Sequence, residues 1–174
     1  MQVEAVSYSR AGLAGNPSDG YFGKIVSVIV RDFAATVTLL PKLYIAYRSD
    51  LAEGSEVFHN TIRERWLKGE TDVVEAMGDF AHYAQDVRDL LVAGRGSEIG
   101  LWVDKNFDRR RSLYPLSEGD IEMVERTRSV GASGKFCGSG GAIVGTYEDD
   151  NAYGGLEKVF HGTGTVVLKP TIAA

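Results

Sequence analysis

A chain of 174 residues with 44% hydrophobic and 25% charged residues has an ordinary globular composition, which excludes disordered and fibrous classes. Its net charge of −5 gives no general attraction to nucleic acid or to anionic membrane. The single cysteine, Cys137, excludes an intramolecular disulfide framework, and His59, His82 and His161 have no metal-ligand spacing, so no metal site is expected. The first residues have no basic stretch leading into an apolar core, and no apolar run approaches the roughly 18 residues of a membrane span. The expectation is a soluble, unprocessed, cytoplasmic protein of one domain, or one and a small appendage.

Residues 2–13 and 23–40 are rich in Val, Ile, Tyr and Thr with partial alternation, which predicts strands around an Asn-Pro-Ser-Asp-Gly turn. The stretch SVIVRDFAATVTLLP predicts two strands turning near Arg31, Asp32 and Phe33, and LYIAY after Pro41 predicts another. The pattern then becomes helical. A first helix is expected over 55–67, with Gly69 ending it. A second follows Asp72, with Val73, Val74, Met77, Phe80, Ala81, Ala84, Val87, Leu90 and Leu91 as its apolar face and Gly94 closing it. A third is expected over 98–111, and a fourth from Asp120, read as its cap, to Gly131. A strand over 134–147, a short helix around 156–160 and a strand over 165–169 complete the chain. These elements predict an α+β fold, an antiparallel sheet covered by helices on one face, with extra N-terminal β-strands that extend that sheet or form a second small one.

Two glycine-rich segments stand out. RAGLAGNPSDGYFG brings together Arg10, Asn16, Ser18, Asp19 and Tyr21. Arginine suits carboxylate or phosphate, whereas Asn, Ser and Asp suit sugar hydroxyls; the same run is also ordinary turn chemistry. GASGKFCGSGGAIVG places Gly138, Ser139, Gly140 and Gly141 near Lys135. Such a loop on a strand end can present backbone N–H groups to an anion, with Lys135 adding charge, or it can be a bulge or tight turn. It matches neither GxxxxGK[ST] nor GxGxxG. The run Arg109, Arg110, Arg111 at a helix end reads as a solvated or salt-bridged face, with anion binding as the alternative. The histidines read as surface or packing residues, and Cys137 as a small buried residue.

Together the two segments resemble the first and third signature motifs of the GHMP kinases, and within that superfamily the glucuronokinase group. RAGLAGNPSDGYFGK resembles the opening motif, RERWLKGE and KNFDRRRSLY the C-terminal helices, and IEMVERTRSVGASGKFCGSGGAIVG the closing motif. The resemblance covers residues 5–35 and 41–170. It implies residues 1–40 as a β-stranded remnant of the N-terminal kinase domain and residues 41–174 as a C-terminal-like domain. It further implies ATP-dependent phosphorylation of the anomeric hydroxyl of a sugar acid. Arg10, Asn16, Ser18, Asp19 and Tyr21 would then face the substrate, and Lys135, Gly138, Ser139, Gly140 and Gly141 the nucleotide and phosphate side.

The family's second motif, a PxxxGLxxSS-type loop cradling the ATP phosphates, does not occur in this sequence, nor does the helix carrying the family's catalytic aspartate. Both would fall between AATVTLL and LYIAY, where Leu40 runs directly into Pro41. No catalytic residue is therefore assigned. The resemblance implies ATP and Mg²⁺ as cofactors of an active enzyme, and transfer is expected to be impaired. The alternatives are a non-catalytic remnant that binds a sugar acid, a nucleotide or a partner, and one half of a split kinase. The N-terminal strands, with open edges, are expected to favour a homodimer or a complementing chain.

Overall fold

The computed structural model describes residues 10–14, 26–29, 40–51 and 56–171. Strands β1 (Arg10–Ala14) and β2 (Val26–Ile29) pair antiparallel in a sheet of their own, Arg10 opposite Ile29, with a bulge between Gly12 and Ala14. The turn between them lies outside the described residues, as do the turn expected near Arg31, Asp32 and Phe33 and the strand expected after it.

The main sheet is antiparallel with order β4-β5-β3-β6, from β3 (Leu43–Tyr47), β4 (Lys135–Phe136), β5 (Ala142–Thr146) and β6 (Val166–Leu168). The LYIAY strand lies at its centre, with Ile45 opposite both Val144 and Leu168. Between β3 and β4 come α1 (Glu56–Leu67), α2 (Thr71–Val92), α3 (Gly100–Leu113) and α4 (Glu118–Arg128). Helix α5 (Asp150–Phe160) joins β5 to β6. The α+β class with an antiparallel sheet is the architecture that the sequence predicts.

Alternation along the central strand divides the core. Tyr44 and Ala46 pack with Phe136, Ile143, Met123 and Val124 of α4, Leu156 and Phe160 of α5, and Phe107 of α3. Leu43 and Val144 pack instead with Ala84, Val87 and Leu91 of α2, with Ile99, and with Leu13 of β1. Leu13 is only 1% exposed, so the small N-terminal sheet is docked against this second cluster. The first half of α2 makes a third cluster with Ile62 of α1 and Leu113 of α3. Arg65 ties these helices together: it pairs with Glu70 and Asp72 at 2.7 and 2.6 Å and donates to the Leu113 carbonyl.

Three boundaries differ from expectation for local reasons. Ser117, not Asp120, caps α4, because its Oγ accepts from the Asp120 N–H at 3.1 Å. The strand expected over 134–147 is two strands, since residues 137–141 leave the ladder as a loop. Helix α5 begins at Asp150, earlier than its apolar end suggests, because the Asp149 side chain caps it by accepting from the Ala152 N–H. No helix among the described residues is long and apolar enough to cross a membrane.

Candidate functional site

The loop Cys137–Gly141 joins β4 to β5 at the end of the sheet, and it is gripped from two helices. Arg110 of α3 is 3% exposed. Its Nη1 donates to the Gly138 carbonyl at 2.6 Å, its Nη2 to the Ser139 carbonyl at 3.3 Å, and its Nε to the Tyr114 hydroxyl. The guanidinium also lies 4.9 Å from the centre of the Phe136 ring, a cation–π arrangement that favours its burial. From α4, Asp120 Oδ1 accepts from the Gly141 N–H at 2.8 Å, while Oδ2 accepts from the Ser117 hydroxyl at 2.7 Å.

Glycine is required at two of these positions. Gly141 has φ +70, in the left-handed region that side chains disfavour. A Cβ on Gly140 would lie 2.9 Å from Asp120 Oδ2. A Cβ on Gly138, by contrast, would meet nothing within 4 Å. The Gly141 carbonyl accepts from the Arg48 N–H, and the Cys137 N–H donates to the Ala142 carbonyl. No described residue accepts from the Ser139 or Gly140 N–H.

Of the residues singled out from sequence, Gly138, Ser139, Gly140 and Gly141 form this loop. Lys135 does not project from it: the side chain is 1% exposed and Nζ donates to the Phe136 carbonyl at 2.8 Å. The expectation that Lys135 lends its charge to the loop surface therefore gives way to a buried ammonium. Arg10 is in β1, but its side chain is not among those described, and Asn16, Ser18, Asp19 and Tyr21 lie outside the described residues. Cys137 is partly buried, and burial pushes its thiol up to about 11, in keeping with an inert residue.

The arginine run divides. Arg109 pairs with Asp79 at 2.7 Å and Arg111 with Glu125 at 2.9 Å, as a salt-bridged face should. Arg110 turns inward, which the reading of the run as a solvated face missed. Its position was a usable signal, since Val103, Asn106, Phe107, Arg110 and Leu113 make one helical stripe, all buried.

At the other end of β5 an open cleft of about 980 Å³ is lined by Leu40, Pro41, Asp104, Arg128, Ser133 and Thr146 among others. Arg128 pairs with Asp104 at 3.0 Å and with Asp108 at 2.7 Å, and the Gly134 N–H donates to Asp104. Burial nevertheless holds the Asp104 carboxyl above its ordinary range, against the pull of that N–H and of Arg128. Among the described residues no group of three or more His, Cys, Asp or Glu could hold a metal ion. Asp120, beside the loop, has both oxygens engaged, so the described residues offer no ready cradle for Mg²⁺.

No family model matches the chain. Two proteins of Arabidopsis thaliana do: probable glucuronokinase 2, 38% identical over 111 residues, and glucuronokinase 1, 36% identical over 111 residues. In both cases the match takes in 62% of this chain and 30% of the relative. Over those residues the chain is similar to both glucuronokinases. Its fold is that of the GHMP kinases. The crystal structure of L. major mevalonate kinase in complex with R-mevalonate matches with a TM-score of 0.67 at 15% identity, over 88% of this chain and 48% of that one. Lactococcus lactis galactokinase complexed with galactose matches with a TM-score of 0.56 at 14% identity, over 87% and 48%. The chain thus spans under a third of the curated relatives it matches and about half of each solved kinase chain.

Proposed function

We propose that this chain is of glucuronokinase lineage, that it binds an anionic oxygen at its glycine loop, from a nucleotide phosphate or a uronate carboxylate, and that its phosphoryl transfer to glucuronate is impaired. The observation that carries the binding is the pair of Ser139 and Gly140 N–H groups, claimed by no described residue, in a glycine loop on a strand end. Successive backbone amides of this kind suit an anion. In this reading Gly138, Ser139, Gly140 and Gly141 form the nucleotide side, and Arg10, Asn16, Ser18, Asp19 and Tyr21 the sugar side. Residues 1–40 are the remnant of one kinase domain and 41–174 the counterpart of the other.

Impairment follows from the sequence. Phosphoryl transfer depends on positioning and on charge stabilisation around the phosphates, and loss of groups acting as a unit costs orders of magnitude in rate. With Leu40 followed directly by Pro41, no phosphate loop or acceptor-side aspartate stands where the family resemblance calls for them. Calorimetric titration with Mg-ATP and with D-glucuronate, beside a coupled kinase assay, tests both parts. Binding of at least one ligand with turnover at the no-enzyme background is expected. Turnover well above background overturns the impairment, and absence of binding to either ligand overturns the site.

A second reading, in which a separate chain supplies the phosphate loop, is favoured by the cleft at the Leu40–Pro41 junction. It requires a coding sequence carrying the second motif whose product restores turnover when mixed with this chain. Sedimentation equilibrium tests the accompanying expectation of self-association through the N-terminal strands; a strict monomer would remove it.

A further inference from the structure

Resting on the reading of the glycine loop as an anion site, this inference concerns what turns the loop's amides outward. A trans peptide unit points its C=O and its N–H in opposite directions. The Gly138 and Ser139 carbonyls both accept from Arg110. The N–H groups in those same two peptide units, of Ser139 and Gly140, therefore face away from Arg110. The next peptide is held from the other helix, its Gly141 N–H donating to Asp120. Two buried groups of opposite charge, one on α3 and one on α4, thus fix three consecutive peptide planes.

Both groups are suited to hold this geometry. Guanidinium is a rigid planar fork that can reach two carbonyls together, which an ammonium on a flexible stem does not reproduce. Arg110 is itself braced by the Tyr114 hydroxyl and the Phe136 ring. Asp120 is braced by the Ser117 hydroxyl that also caps α4. At 3% and 4% exposure, neither competes much with water for its hydrogen bonds.

We propose that Arg110 and Asp120 are positioning residues that set the peptide planes of the glycine loop and so present the Ser139 and Gly140 amides as a donor pair for an anionic oxygen. Their effect reaches a ligand only through the loop backbone. The two oxyanions that could sit there, phosphate and carboxylate, share this chemistry.

The test is amide ¹H–¹⁵N spectroscopy of the full chain, titrated separately with inorganic phosphate, ATP and D-glucuronate. In the wild type, saturable shifts at Ser139 and Gly140 are expected with at least one probe. Phosphate or ATP alone assigns the site to phosphate, and glucuronate alone to carboxylate. Arg110→Lys and Asp120→Ala should each weaken the apparent affinity tenfold or more. Asp120→Asn, which keeps an oxygen acceptor for Gly141, should recover part of it. Methylguanidinium should restore saturable shifts to Arg110→Ala, and Arg111→Lys, on the exposed face, should match wild type. If Arg110→Ala does not fold, the Lys and Asp120 variants decide. The proposal is overturned if none of the probes shifts these amides, or if folded Arg110→Lys and Asp120→Ala bind as wild type does. Phosphate-dependent shifts in a chain that binds neither ATP nor glucuronate sink the kinase-lineage reading and leave the positioning roles standing. Ligand binding indifferent to Arg110 and Asp120 does the reverse.

Discussion

Asp120 holds Gly141 at 2.8 Å across 21 residues of chain, joining the first turn of α4 to the loop between β4 and β5. The same carboxylate faces Gly140, so the helix cap and the two glycines form one unit. A side chain at residue 140 must strike Oδ2, an atom on a short buried side chain already held by the Ser117 hydroxyl.

Gly140→Ala should therefore destabilise the protein by about 1–3 kcal/mol, the usual cost of forcing extra volume into a packed site. Gly138→Ala, two residues away and in open space, should stay within about 0.5 kcal/mol of wild type. Urea unfolding monitored by circular dichroism separates the two, and equal effects would show that Asp120 moves freely.

A harsher case is Gly145, opposite Tyr44 in the ladder. A Cβ there would sit 1.7 Å from the Ser133 backbone oxygen, and backbone cannot swing aside as a side-chain end can. Gly145→Ala should cost more than about 4 kcal/mol, seen as insoluble or unfolded protein on expression; a soluble variant with a wild-type melting temperature would contradict the close approach.

Much of this architecture is legible in sequence, and the limits have physical causes. Most buried positions of α2, from Val73 through Phe80 to Leu91, are among those that the helical spacing picks out, because a long helix repeats its signal, although Val74, picked out with them, is exposed and Ala76, not picked out, is buried. Gly138 to Gly141 announce a loop by composition. What composition does not reveal is its anchor, since Arg110 is hidden in an arginine run whose other two members do lie in salt bridges at the surface. Nor does local pattern show that Ile45 pairs with Val144 and Leu168, because those partners are set by packing far along the chain. Lys135 misleads for a related reason: a lysine beside glycines suggests an exposed cation, but the strand alternation turns it inward, opposite Val144.

Tyr44 links pH to the fold. Its hydroxyl is fully buried and donates to the Ser133 carbonyl at 2.8 Å, and burial holds its ionisation well above the ordinary value of 10.0. In the unfolded chain the phenol ionises near that ordinary value, whereas the folded protein keeps it neutral. The contribution is thus complete below pH 10 and is lost as pH rises beyond it toward the folded value. Stability should fall with pH above about 10, and Tyr44→Phe should flatten that fall while losing about 1–3 kcal/mol at neutral pH, because the Ser133 carbonyl loses its donor. Unfolding curves at pH 7, 9, 10 and 11, values chosen to bracket the phenol's range, would show it; parallel pH profiles for wild type and variant would rule Tyr44 out as the cause.

Asn106 gives the last expectation, because it is the polar residue in the stripe that does no visible work. It is 0% exposed on α3, one helical turn before Arg110, and neither Oδ1 nor Nδ2 has a hydrogen-bond partner among the described residues. An amide buried without partners costs roughly 1–3 kcal/mol by mutational measures, while its neighbours Val103 and Phe107 are already apolar. Asn106→Leu, close in volume and a better helix former, should raise stability by about 1–3 kcal/mol and the melting temperature with it. Asn106→Asp should lower both, since a carboxylate in the same place is harder to bury. Calorimetric melting of the two variants checks the sign. A destabilised Leu variant would mean that the amide has partners in solution, such as a buried water, and that α3 carries a polar network beneath the glycine loop rather than an isolated penalty.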